Sequence, residues 1–128
     1  MTTAAKTAQL TGMLAMAHVA DVDGSIEFYK KLGFTVRNTV KDGDITNWAC
    51  LDLDGTAQLM LARSGRPMNP GAQDVLFYLY AVNVAEYREQ LKAQGIEVSE
   101  MRYPFWSPRG EFRFKDPDGW DLFVSHAN

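Results

Sequence analysis

The stretch Gly33-Phe34-Thr35-Val36 recurs as Gly95-Ile96-Glu97-Val98, 62 positions further on. Each copy stands where helical spacing of apolar residues gives way to alternation, so the match falls on a boundary between elements. Working outward, the same shift lays Asp21-Val22 on Asn83-Val84 and residues 25–32 on residues 87–94. Downstream, Asp54-Gly55 followed by Leu59-Met60-Leu61 answers Asp118-Gly119 followed by Leu122-Phe123-Val124, with a drift of one or two positions that small loop insertions explain. The chain is therefore read as one unit written twice.

The first copy predicts a strand over 13–20 and a helix from Asp21 or Asp23, whose short acceptor side chains suit a helix start, to Leu32. Ile26, Phe28, Tyr29 and Leu32 give that helix an apolar face, and Gly33 ends it, because glycine tolerates the left-handed conformation there. Strands follow over 35–40, 46–53 and 57–62, with Asp54-Gly55 as a hairpin signal. The second copy predicts a strand over 74–81, a helix over 84–94 stopped by Gly95, and strands over 96–99, 111–115 and 121–125. Residues 64–73 hold two prolines and two glycines and read as a linker. The expected division is a loose tail over 1–12, a first βαβββ module over 13–63, the linker, and a second module over 74–128. At roughly 55 residues neither module buries much core alone. An α+β fold is expected, with the two modules forming a cupped, curved sheet, helices outside, and a concave face of the kind on which small molecules bind.

Bulk composition narrows the function classes. Net charge is −3 with both signs interspersed, and no basic stripe marks a nucleic-acid surface. No apolar stretch approaches the ~20 residues of a membrane helix, and the tail lacks the apolar centre of an export signal. Cys50 is the only cysteine, which rules out an intrachain disulfide and a CxxC site; a reducing, cytoplasmic setting is expected, with Cys50 a buried packing residue. No GxSxG, Walker or dinucleotide fingerprint occurs. Lys41-Asp42-Gly43-Asp44 reads as a solvated turn without calcium-loop spacing.

The run from His18 through Tyr29, followed by Lys31-Leu32-Gly33-Phe34, resembles the first strand and helix of the vicinal oxygen chelate superfamily, which contains glyoxalase I, extradiol dioxygenases, fosfomycin-resistance transferases and bleomycin-resistance proteins. Residues 110–120, Gly110-Glu111-Phe112-Arg113-Phe114-Lys115-Asp116-Pro117-Asp118-Gly119-Trp120, resemble its closing hairpin. The resemblance covers nearly all of residues 13–126. It implies paired modules whose sheets form a cup. It also implies that metal-using members place His, Glu or Gln ligands on the first and last strands of each module. Carried over, those positions are Leu14, Met60, Leu76 and Phe123. None supplies the imidazole, carboxylate or thiolate that zinc, iron, nickel or manganese needs, and a one-residue shift of register brings in no donor either. The expectation is thus a protein without metal or cofactor, of the bleomycin-resistance type.

Strand alternation carries the reading into the cup. If Leu14 faces inward, Met16 and His18 do too; Leu76 brings Tyr78 and Tyr80, and Phe123 brings Asp121 and Ser125. The loop over 101–109 adds Tyr103, Phe105, Trp106 and Arg109, and Trp48 adds another ring. The expected ligand-binding set is His18, Trp48, Met60, Tyr78, Tyr80, Tyr103, Trp106, Arg109 and Phe123, suited to a flat aromatic or partly cationic, antibiotic-like molecule. Bland readings stand beside these: His18 as a hydrogen-bonded core histidine, the tyrosines as packing, Trp106 as a loop anchor or dimer contact, Arg109 and Glu111 as solvated surface. The leading reading is a small-molecule binder acting as a homodimer. The alternative is a lyase or isomerase of the glyoxalase or dioxygenase kind, with His18 as base and Tyr78 or Tyr80 as donor. A regulatory partner domain ranks last.

Overall fold

The computed structural model describes residues 8–9, 13–55 and 57–127, so most of the expected tail and the last residue lie outside the described residues. The order of elements is β1 (Ala15–Val19), α1 (Val22–Leu32), β2 (Thr35–Asp42), β3 (Ile45–Leu53), β4 (Ala57–Arg63), then β5 (Leu76–Ala81), α2 (Val84–Ala93), β6 (Glu111–Lys115) and β7 (Asp121–His126). One sheet runs β1-β4-β3-β2 with β1 parallel to β4; the other runs β5-β7-β6 with β5 parallel to β7. Met16 lies opposite Met60 in the first, and Tyr78 opposite Phe123 in the second. The duplication thus holds at the level of strand register. The fold is the α+β fold expected, with two open sheets.

Both helices end as the repeat predicts. Gly33 adopts φ 113° and its N–H donates to the Lys30 carbonyl at 3.0 Å, while Phe34 N–H donates to Tyr29 at 3.1 Å. Gly95 adopts φ 84° and its N–H reaches Lys92 at 3.0 Å, with Ile96 N–H on Leu91 at 3.0 Å. The helix starts differ. Asn83 caps α2 by accepting Glu86 N–H at 3.2 Å. The aspartate cap expected for α1 is not made: Asp21 stands at the cap position without a side-chain bond, and Asp23 accepts the Thr46 hydroxyl at 2.7 Å. Asp118 of the second module supplies the negative charge there instead, accepting Ala20 N–H at 2.8 Å and the Ser25 hydroxyl at 3.4 Å.

The strand expected over 96–99 is not formed. Arg102 and Glu111 exchange backbone bonds of 2.8 and 2.9 Å, and Ser99 N–H donates to the Arg113 carbonyl at 2.9 Å. The Arg113 N–H, however, is taken by the Ser99 hydroxyl at 2.9 Å, and the Ser99 carbonyl accepts the Arg88 guanidinium at 2.8 Å. A side chain has replaced the backbone acceptor that a ladder needs, so pairing is limited to these points. The strand expected from residue 74 also begins two residues later, at Leu76.

The core is continuous across the modules. Val19, Ala49, Leu51 and Leu61 from the first meet Phe112, Leu122 and Val124 from the second, all essentially sealed from solvent. Val22, Ile26, Tyr29 and Leu32 bury one stripe of α1, at the spacing a half-buried helix requires. Asp116 joins the modules: its Oδ2 accepts the buried Tyr29 hydroxyl at 2.8 Å, and its Oδ1 accepts Asp118 and Trp120 N–H at 2.9 Å each. Burial pushes both the Asp116 carboxyl and the Tyr29 hydroxyl above their ordinary values. The Tyr87 hydroxyl donates to the Leu32 carbonyl at 2.8 Å, and burial raises its pKa to about 12. The linker carries a short 3-10 turn, Pro70–Ala72, held against the second module by Gln73 Nε2 donating to the Asp118 carbonyl at 3.2 Å. No helix among the described residues is long and apolar enough to cross a membrane.

Candidate functional site

Residues opposite one another in a ladder project to the same face, so register assigns the surfaces. In the first sheet, Ala17, Val19, Leu59 and Leu61 are buried in the core. The reverse, open face presents two rows across neighbouring strands: Met16-Met60-Cys50-Asn38 and His18-Ala62-Trp48-Val40. In the second sheet Phe77, Leu79, Leu122 and Val124 join the core. The open face there carries the rows Tyr78-Phe123-Arg113 and Tyr80-Ser125-Glu111.

The second sheet and its loop bring four of the expected ligand-binding residues, Tyr78, Tyr80, Trp106 and Phe123, into one cluster. Tyr78 stacks on Phe123 with ring centroids 5.4 Å apart and lies 6.0 Å from Tyr80. The Tyr78 hydroxyl donates to Glu111 in a very short bond. The Trp106 indole N–H lies 3.2 Å from both the Tyr78 oxygen and Glu111 Oε1. Phe105 meets Trp106 edge-on at 5.1 Å. Under this cluster the Ser107 and Ser125 hydroxyls bond each other, and Ser107 donates to the Gly110 carbonyl at 2.9 Å, which fixes the turn that presents Trp106. Desolvation first, and then the bond to Glu111, push the Tyr78 hydroxyl above its ordinary value, so at neutral pH it remains a donor.

Exposure sets this surface apart. Tyr80 is 68% exposed, Trp106 59% and Phe105 90%, while the carboxylate-bearing Glu111 between them is 4% exposed. Large rings in water beside a buried, hydrogen-bonded acid make an apolar shelf with one fixed polar point. Tyr103 is exposed in the same loop, and Arg109 is exposed without a side-chain hydrogen bond or ion pair among the described residues. His18, Trp48 and Met60 share the open face of the other sheet, and no side-chain hydrogen bond or ring contact among the described residues joins them to the Tyr78 cluster. His18 is exposed, so its reading as a core histidine does not hold. Cys50 is buried and free, beside Met60 in the ladder.

Glu111 is the residue that sequence reading undervalued. The sequence leaves it between a polar pocket edge and solvated surface, whereas it is buried at 4% exposure, opposite Ser125 and beside the loop that carries Trp106. The Ser107–Ser125 pair left no signal, because it joins positions 18 apart through a turn.

The four positions at which metal-using members of the resembled superfamily carry ligands are Leu14, Met60, Leu76 and Phe123, and all lie on or beside these open faces. They offer one thioether and no oxygen or nitrogen donor, so they do not fit a divalent metal centre. Among the described residues no group of three or more His, Cys, Asp or Glu side chains is placed to hold one.

Residues 14–123 match the family described as Glyoxalase/Bleomycin resistance protein/Dioxygenase superfamily, and the chain belongs to that superfamily. No curated protein matches the sequence. Among solved structures, a bleomycin-binding protein complexed with bleomycin is similar over 93% of this chain and 100% of its own, at TM-score 0.73 and 21% identity. TnmS3, an antibiotic-binding protein from Streptomyces sp. CB03234, is similar over 94% and 99%, at TM-score 0.73 and 19% identity. The fosfomycin-resistance protein FosX from Listeria monocytogenes, in complex with Mn(II) and a dihydroxypropylphosphonic acid, is similar over 94% and 95%, at TM-score 0.70 and 16% identity. At these identities the likeness is one of fold.

Proposed function

We propose that the chain binds a small aromatic, antibiotic-like molecule without a metal, on the open faces of its sheets, as a homodimer. The observation that carries this reading is the shelf of exposed Tyr78, Tyr80 and Trp106 with half-buried Phe123 around the buried Glu111 acceptor. A planar ligand gains stacking area on these rings, and a ligand donor competes for Glu111. Apolar side chains at all four metal positions leave binding to shape and stacking. The bleomycin-binding and antibiotic-binding neighbours support the class of ligand. A second copy would turn the shelf into a pocket, with His18, Trp48 and Met60 of one sheet, together with Tyr103 and Arg109, as further walls. The catalytic alternative is weaker on this geometry, because the Tyr78 proton is already committed to Glu111 and His18 stands on the other sheet.

The test is titration of the protein in EDTA with bleomycin and a panel of planar aromatic antibiotics, followed by tryptophan emission. Saturable change without added metal is expected. A Trp106→Leu variant should bind about three- to tenfold more weakly, the worth of one stacked ring. A panel that leaves the emission unchanged, or stoichiometric zinc, nickel, manganese or iron in the purified protein, would overturn the reading.

A further inference from the structure

A second cleft, of about 550 Å3, opens where the linker crosses the closing hairpin, lined by His18, Ser64, Arg66, Met68, Gln73 and Trp120 among others. We infer that it binds a small aromatic carboxylate, ring against Trp120 and carboxylate on Arg66 and His18. The cleft lies apart from the aromatic shelf on the second sheet; His18, on the edge strand β1, is the one residue it shares with the walls proposed above.

Three observations support it. The walls are pinned. A Cβ on Gly119 would lie 2.4 Å from Pro70 Cα, so linker and hairpin turn are in direct backbone contact. Gln73 Nε2 ties the linker to the Asp118 carbonyl at 3.2 Å. A site that is already shaped loses little entropy on binding.

The floor is an oriented ring. The Trp120 indole N–H donates to the His18 carbonyl at 3.0 Å, and its ring lies 6.0 Å from Phe77. With its N–H spent, Trp120 offers the cleft a π-face, and Met68 offers an apolar edge.

The charge is of one sign. The chain carries a net −3, yet among the described residues Arg66 and His18 are the only ionisable ones lining this cleft. Arg66 is exposed and enters no ion pair among the described residues. Its backbone is fixed on both sides by Ser64, whose hydroxyl donates to the Arg66 carbonyl at 2.6 Å and accepts its N–H at 3.1 Å. The backbone is fixed while the planar guanidinium stays available to match a carboxylate with two parallel bonds, and the His18 imidazole can donate a third.

The experiment is a 1H–15N NMR titration of the indole N–H resonances with 2-naphthoate, and separately with the neutral isostere 2-naphthamide. Naphthoate should shift Trp120 saturably, and bind there about fivefold or more tightly than the amide. Arg66→Ala, at an exposed site, should abolish that preference, and His18→Gln should reduce it. Equal affinities for the two probes, a Trp120 resonance that naphthoate leaves in place, or a preference that survives Arg66→Ala would overturn the inference. The shelf proposed above reports through Trp106, so its success or failure is read from a different resonance.

Discussion

One oxygen of the Asp116 carboxylate takes the hydroxyl of a tyrosine fully buried in the first module, and the other takes two amides of its own turn. Removing the acceptor strands three donors, so Asp116→Ala should lower stability by about 3 kcal/mol, read as a shift in the urea midpoint. Asp116→Asn keeps the oxygen facing the amides and should cost about 1 kcal/mol. Burial holds the Asp116 pKa above its unfolded value. The folded protein therefore keeps a proton that the unfolded chain has released, and Asp116's contribution is fully present below the unfolded pKa and lost as pH rises through the folded one. Asp116→Asn should flatten the dependence of the midpoint on pH above about pH 4; an unchanged slope would contradict this. The bond to Tyr29 was not legible in the sequence, where Asp116-Pro117-Asp118-Gly119 reads as a turn, because that partner lies 87 positions away. Tyr78, Tyr80 and Phe123 were legible, since alternation along a strand places them on one face without knowledge of distant contacts.

At the scale of elements, the glycines at the two halves' boundaries separate strain from contact. Gly95 and Gly119 share φ 84°, but a Cβ on Gly95 meets nothing within 4 Å, whereas one on Gly119 strikes Pro70. Gly95→Ala should cost about 1 kcal/mol from conformation alone. Gly119→Ala should cost at least about twice that, because backbone must move as well. Equal urea midpoints for the two variants would refute the clamp between linker and hairpin. The helices and their stops were legible because caps and 3.6-residue spacing are local properties. The strand expected over 96–99 was not formed because Ser99 and Arg88 redirect its hydrogen bonds, and residues 11 and 14 positions apart give no local sign of doing so. Residues 64–73 read only as a linker from their composition, and their contacts with Gly119 and Asp118 had no sign in it.

The whole molecule follows from duplication. Two modules that each lack a sufficient core share one, which turns the helices inward to the sheets and leaves the opposite sheet faces to solvent. Tyr80, Phe105 and Trp106 then stand exposed to an extent that favours a covering surface, from a ligand, a second copy, or both. The resemblance assigns Leu14, Met60, Leu76 and Phe123 to the metal positions, and their apolar character was visible in the sequence once the repeat supplied the register. The central claim is a metal-free homodimer that takes up an aromatic, antibiotic-like molecule. Native mass spectrometry of freshly purified protein, alone and with bleomycin or another binder from the titration panel, reads oligomeric state, metal and ligand together. The account predicts a dimer mass free of metal that gains the mass of the added ligand; a protein carrying stoichiometric metal, or a monomer that takes up no ligand, would contradict it.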